Sequence, residues 1–193
     1  YYTPTKVIFG EGSLEKLPQA VKGCGASRVF VVYGGMSAKK SGLLDRVEAL
    51  LTDAGLAFEA IGGVQPNPRL ALAREGVKRA IAFGAELILA VGGGSVIDTA
   101  KAVAHGAANP ETDIWEFWSG RAKVTKTTPV GVVLTIPAAG SEMSDSAVLT
   151  DETALAKRGL NTDLNRPAFA LMDPALAATL PPRQAACGVT DIM

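Results

Sequence analysis

The sequence predicts an α/β fold: a parallel sheet flanked by helices. Three observations predict it. Short β-branched runs alternate with longer stretches whose apolar residues recur three and four apart. The strongest runs, 28–33 (RVFVVY), 86–91 (ELILAV) and 130–136, are apolar without alternation, as strands covered on both faces are. Two of them end in glycine, at Gly34-Gly35 and at Gly92-Gly93-Gly94. Right-handed crossovers would gather these turns at the carboxyl ends of the strands, where open α/β sheets bind ligands.

In chain order, Val7, Ile8 and Phe9 read as a first strand. Leu14, Leu17 and Val21 then give a helical face. After the 28–33 strand, Leu43, Val47, Leu50 and Ala54 form one helical stripe, with Leu44 and Leu51 beside it. Residues 57–61 are a weaker strand. Residues 65–68 (QPNP) form a loop, because each proline pushes the preceding residue out of the α region. Leu70, Ala73, Val77 and Ile81 mark the inner stripe of a helix over 70–83. The 86–91 strand runs through its glycines into a helix over 96–105. Residues 106–129 are too long for a simple connection, and Trp115, Phe117 and Trp118 anchor them in a short helix. The runs 130–136, 146–150 and 168–172 are further strands.

Composition narrows the function. The chain has 193 residues, 48% hydrophobic and 20% charged, so it is globular and not disordered. That length holds one large domain, or one domain and part of another, at roughly 100–200 residues each. Lys+Arg and Asp+Glu both number 19, and there is no basic run of the kind a nucleic-acid binder carries. Cys24 and Cys187 are far apart, with no metal-binding spacing, which points to a reducing cytoplasm. No apolar run reaches the ~18–20 residues of a membrane span. The first residues lack the layout of a signal peptide, and the start without Met suggests a trimmed chain.

The chemistry sits in residues 92–101 (GGGSVIDTAK). Three glycines after a buried strand let backbone approach a ligand closely. Ser95 reads as an N-cap, with Asp98 three residues on as an Asp variant of the capping box. The helix then presents free N–H groups and a positive dipole end, which bind phosphate. The run is neither the GxGxxG fingerprint, since Ile97 holds the third position, nor a P-loop, since no GK[ST] follows.

Those residues, with 10–13 (GEGS), 33–40 (YGGMSAKK), 66–68 (PNP), 135–142 (TIPAAGSE), 173–174 (DP), 179–182 (TLPP) and 188–193 (GVTDIM), resemble the iron-activated (group III) alcohol dehydrogenases, on the side of their butanol dehydrogenase and NADPH-dependent aldehyde reductase branch. The resemblance implies an NAD(P)- and metal-dependent oxidoreductase interconverting primary alcohols and aldehydes, cytoplasmic and homodimeric. The metal would be divalent, Fe2+ or Zn2+. It implies that residues 1–180 form a Rossmann-like dinucleotide-binding domain and 181–193 the first turns of a truncated all-α metal-binding domain. The fragment alone would then be inactive. Asp191 matches a metal ligand; the first histidine ligand would lie four residues further on. Gly93, Gly94 and Ser95 match the pyrophosphate loop, and Asp98 a position near the nicotinamide. Asn67, Thr135, Ser144 and Lys157 match cofactor-lining positions. His105 matches no ligand and reads as a surface or packing residue. Ala138-Ala139 stand where many members of the family carry threonines.

The turn after the 28–33 strand bears on cofactor choice. It holds no acid to accept from a ribose 2′-OH. Gly34 and Gly35 leave room for a 2′-phosphate, Ser37 can donate to it, and Lys39 and Lys40 add positive charge. In the resembling branch this stretch goes with NADP(H), so NADP(H) is expected over NAD(H). Two alternatives stay open: an enzyme like glycerol dehydrogenase or dehydroquinate synthase, and a free-standing nucleotide-binding module.

Overall fold

The computed structural model describes residues 2–178 and 180–192; the side chains of residues 36, 37, 191 and 192 lie outside the described set. Strand β1 (Lys6–Phe9) leads through a 3-10 turn (Ser13–Lys16) to α1 (Leu17–Gly23). Then come β2 (Arg28–Tyr33), α2 (Met36–Lys40), α3 (Leu43–Asp53), β3 (Ala57–Ile61), α4 (Leu70–Phe83), β4 (Leu87–Gly92) and α5 (Gly94–Ala108). The chain continues through α6 (Ile114–Trp118), β5 (Val130–Leu134), β6 (Ser146–Asp151) and β7 (Ala156–Asn161). A second 3-10 turn (Asp163–Asn165) precedes β8 (Phe169–Met172), α7 (Pro174–Ala177) and α8 (Pro182–Ile192).

Six strands form a parallel sheet in the order β1-β8-β5-β4-β2-β3. From β2 the chain steps outward to β3, then crosses back to β4 and steps the other way through β5 to β8. The order therefore reverses between β2 and β4, the place where open sheets leave a crevice at their carboxyl ends. Both faces are covered, which explains the unbroken apolar strands. Val29, Val31, Leu87, Leu89 and Val91 pack with Leu17, Val21, Val47 and Leu51 of α1 and α3. Phe30, Val32, Ile88 and Ala90 pack with Ile97, Ala100 and Val103 of α5 on the other face.

Several expectations are corrected. Ile81 is 43% exposed, and α4 turns Leu70, Ala73, Gly76 and Ala80 inward instead. Gly76 is what allows α4 to lie close to α5, since a Cβ there would sit 2.7 Å from Val103. On α3 the buried residues are Leu43, Leu44, Val47 and Leu51, while Leu50 and Ala54 of the expected stripe pack against the same core only partly buried. The 130–136 strand stops at Leu134; Thr135 and Ile136 leave the sheet ahead of Pro137. The 146–150 segment is no member of the main sheet. It becomes β6, paired antiparallel with β7 in a separate hairpin. Strand β7 went unread because its residues, AKRGLN, are mostly exposed and carry no apolar run. The Trp-rich segment does form a short helix: Asp113 caps α6 by accepting from the Trp115 N–H, and Trp118 donates to the Ala147 carbonyl of the hairpin at 3.0 Å.

Candidate functional site

A cleft of about 730 Å³ opens at the carboxyl ends of β2, β4 and β5. Gly34 and Ala38 line one side, Gly92 to Val96 the floor, and Thr135, Ile136 and Ala138 the other side; Ala175, Leu176 and Gln184 close it from beyond β8. Helix α5 points its N-terminus into this cleft. Its N-cap is Gly93, and no side chain caps it. Val96 and Ile97 already donate to the Gly93 carbonyl, at 3.0 and 3.1 Å. The first-turn N–H groups of Gly94 and Ser95 remain for a ligand, in the field of the helix dipole.

The expected capping box is thereby overturned. Ser95 lies inside the first turn, not at the cap. Asp98 instead bridges to residues 141–148, the loop before β6 and the strand itself, accepting from Ser141 Oγ at 2.5 Å and from the Val148 N–H at 3.0 Å. The carboxylate is drawn away from its own helix end because two donors of that segment lie within reach.

The glycines of the loop do different work. A Cβ on Gly92 would meet Val96 at 2.6 Å, and one on Gly93 would meet Ile136 at 3.2 Å. A Cβ on Gly94 would meet nothing within 4 Å. Packing thus excludes a side chain at Gly92 and leaves little room for one at Gly93, whereas the space over Gly94 is the open cleft.

Of the other candidate positions, Gly34 and Thr135 line the cleft with Gly93, Gly94 and Ser95. Gly35 is exposed beside them, with nothing within 4 Å of a Cβ built on it. The side chains of Ser37 and Asp191 lie outside the described residues. Asn67 and Lys157 form a separate pair: Lys157 Nζ donates to Asn67 Oδ1 at 2.8 Å, joining the loop after β3 to the hairpin. Asn67 adopts φ 59°, a left-handed conformation that asparagine tolerates better than most residues. Ser144 offers its carbonyl to Lys101 and does not line the cleft. Lys39 lies over the Tyr33 ring, 5.4 Å from its centroid. Arg46 of α3, which pairs with Glu15, is a cationic side chain that lines the cleft.

Sequence reading missed a polar stripe on α5, half-buried at Asp98 and fully buried beyond it. Asp98, Lys101 and His105 recur three and four apart, on the face turned to the hairpin. Lys101 is fully buried and donates to Ser141 Oγ (3.2 Å), the Ser144 carbonyl (3.2 Å) and the Ser146 carbonyl (2.8 Å). Burial pushes its pKa down to about 8, against the pull of Asp98, Glu142 and Asp145. His105, also fully buried, is a packing residue, one of the two roles expected of it. Asn165 donates its amide to the Asp145 and Leu160 carbonyls, so its oxygen faces His105 Nε2, 2.8 Å away, and that nitrogen carries the proton. Burial holds the imidazole neutral, with a pKa of about 4. The spacing of the stripe was visible in the sequence. Its burial was not, because a lysine and a histidine are ordinarily read as solvated.

No group of three or more His, Cys, Asp or Glu side chains among the described residues is placed to hold a metal ion. The described residues do not account for a metal centre. Among them, too, no helix is long and apolar enough to cross a membrane.

Comparison with known proteins places these features in a lineage. Residues 4–174 match the sequence profile of the iron-containing alcohol dehydrogenases. The chain is 39% identical over 193 residues to NADH-dependent butanol dehydrogenase A of Clostridium acetobutylicum, covering all of this chain and 49% of that protein. It is 38% identical over 192 residues to the NADPH-dependent aldehyde reductase YqhD of Escherichia coli, covering 98% of this chain and 49% of that protein. The crystal structure of NADH-dependent butanol dehydrogenase A from Thermotoga maritima superposes with a TM-score of 0.95 at 40% identity, over 99% of this chain and 48% of that one. The chain thus spans about half the length of the relatives it matches. With the doubly covered parallel sheet, the uncapped glycine-led helix and these matches agreeing, the chain belongs to the iron-containing alcohol dehydrogenase family.

Proposed function

We propose that this chain is the dinucleotide-binding part of an NAD(P)-dependent oxidoreductase that interconverts primary alcohols and aldehydes. The observation that carries the reading is the uncapped N-terminus of α5, opening into a cleft at the point where the strand order reverses. The residues fit a dinucleotide. The Gly94 and Ser95 N–H groups would hold the pyrophosphate, with the vacant space over Gly94 admitting it. One half would run toward Gly34 and Gly35 after β2, the other along Thr135 to Ala138 after β5. When bound, the nicotinamide supplies hydride transfer; the chain orients it and excludes water with the apolar wall of Ile136, Ala175 and Leu176. Asn67, Asp98, Ser144 and Lys157 belong to the proposal as groups bracing the surroundings of the cleft.

NADP(H) is the proposed preference, because the 34–37 turn carries no acid and Gly35 stands open. The relatives include both NADH- and NADPH-dependent enzymes, so the turn, not the kinship, supports this choice. A metal held partly by Asp191 remains part of the proposal on resemblance alone. So does the division into a nucleotide domain over 1–180 and a helical domain beginning at 181; the nearly continuous exposure of 181–190 supports it. A homodimer would pair at the free edge of β1, where Val7 and Phe9 are exposed, as far as Pro4 permits. Cytoplasmic residence rests on Cys24 and Cys187 being free. The test is steady-state kinetics of the intact protein with butanal and each reduced cofactor. Turnover with higher kcat/KM for NADPH supports the reading; absence of turnover with either overturns the activity, and NADH preference overturns the cofactor choice.

A further inference from the structure

The Lys101 ammonium has no place in hydride chemistry, yet it is one of the largest fully buried side chains of the described residues. Burying a charge is unfavourable unless every donor finds a partner. Here all three donors do, and all three acceptors, Ser141 Oγ and the carbonyls of Ser144 and Ser146, belong to one short stretch that runs from the loop after β5 into the first residue of β6. Ser141 closes a relay: it accepts from Lys101 and donates to Asp98 one turn earlier on the same helix. Arg166 Nη1 adds a bond to the Met143 carbonyl from the other side. This segment continues directly from Thr135, Ile136 and Ala138, the wall of the cleft on the β5 side. Among the described residues, the β2 side, with Gly34 and Ala38, has no bond to Lys101.

We propose that Lys101 is a positioning residue that clamps the 141–146 segment to α5 and thereby sets the β5-side wall for the nicotinamide half of the dinucleotide. The inference rests on the cleft being a dinucleotide site, as proposed above. The clamp uses the protonated amine, since a neutral amine has one donor fewer than the three acceptors require. The charged and titratable groups around it are Asp98 and His105 on its own helix, Glu142 and Asp145 on the clamped segment, and Arg166 beyond it. With Lys101 titrating near 8, the clamp should loosen from pH 7 to pH 9.

The experiment is calorimetric titration of the intact protein with NADPH and with its adenosine half, 2′-phospho-ADP, at pH 7 and pH 9. In Lys101→Met, NADPH affinity should fall about tenfold or more, the order of one lost charge-assisted hydrogen bond, while 2′-phospho-ADP stays within about twofold. Ser141→Ala, a smaller change that keeps the fold if Lys101→Met does not, should lower NADPH affinity about threefold with the same selectivity. In the wild type the ratio of the two affinities should fall from pH 7 to pH 9, and in Lys101→Met it should not change with pH. Equal losses for both ligands, or an unchanged ratio in both variants, overturns the clamp. A wild type that binds neither ligand overturns the reading of the cleft itself, and the clamp with it.

Discussion

Replacing Gly94 with valine separates the ligand from the fold. A Cβ at Gly94 meets no atom within 4 Å, and the backbone there is helical with no positive φ. Valine is a slightly better helix former than glycine, so stability should change by less than about 0.5 kcal/mol, or about 2 °C in Tm for a chain of this size. The new methyl groups would instead fill the space where a pyrophosphate meets the Gly94 and Ser95 N–H groups. Hydrogen bonds to a charged group contribute about 1.5–3 kcal/mol each, so losing two lowers dinucleotide affinity by roughly 10² to 10⁴. Gly131→Ala is the opposite control. Its Cβ would sit 2.2 Å from Phe169 Cζ, inside the sheet between β5 and β8. Overpacking of that kind costs about 1–3 kcal/mol and should lower Tm without changing affinity per folded molecule. Calorimetry of both variants, with thermal unfolding beside it, gives the answer. If Gly94→Val bound NADPH within about threefold of wild type, or lost as much Tm as Gly131→Ala, the assignment of the α5 N-terminus would be wrong.

Two further outcomes are expected. His105 is held near pKa 4 against its ordinary 6.5, so between those values the unfolded chain binds the proton and the folded chain does not. Stability should therefore fall as pH drops from 6.5 toward 4, by on the order of 3 kcal/mol, and urea unfolding of a His105→Gln variant should lack that part of the slope. Gly35→Asp, which meets no neighbouring atom, should move the kcat/KM preference toward NADH by repelling a 2′-phosphate; an unchanged ratio would place that phosphate elsewhere.

The centre of the sheet was legible because β2, β4 and β5 are buried on both faces, and such strands announce themselves as unbroken apolar runs. The glycine loop was legible because three glycines in succession mark a turn with no room for side chains, although Val96 and Ile136 crowd Gly92 and Gly93 and it is Gly94 that faces the open cleft. What escaped was everything set by polar groups acting at long range. Strand β7 has no apolar run to betray it. Strand β6, outside the main sheet, is tied to α5 by Asp98 and Lys101 bonding backbone of residues 144–148, contacts spanning more than forty positions. The same capture undid the capping box, since a carboxylate three residues past a serine looks identical in sequence whether it reaches back or across. Arg46 entered the cleft while Lys39 turned to Tyr33, and no local signal distinguishes those cations.

The most direct test of the dinucleotide site is a crystal structure of the intact protein with NADPH. The pyrophosphate should lie against the N–H groups of Gly94 and Ser95, the adenosine half toward Gly34 and Gly35, and the nicotinamide half along Thr135 to Ala138. A dinucleotide bound away from the α5 N-terminus, or bound there with its two halves reversed between β2 and β5, would contradict the account.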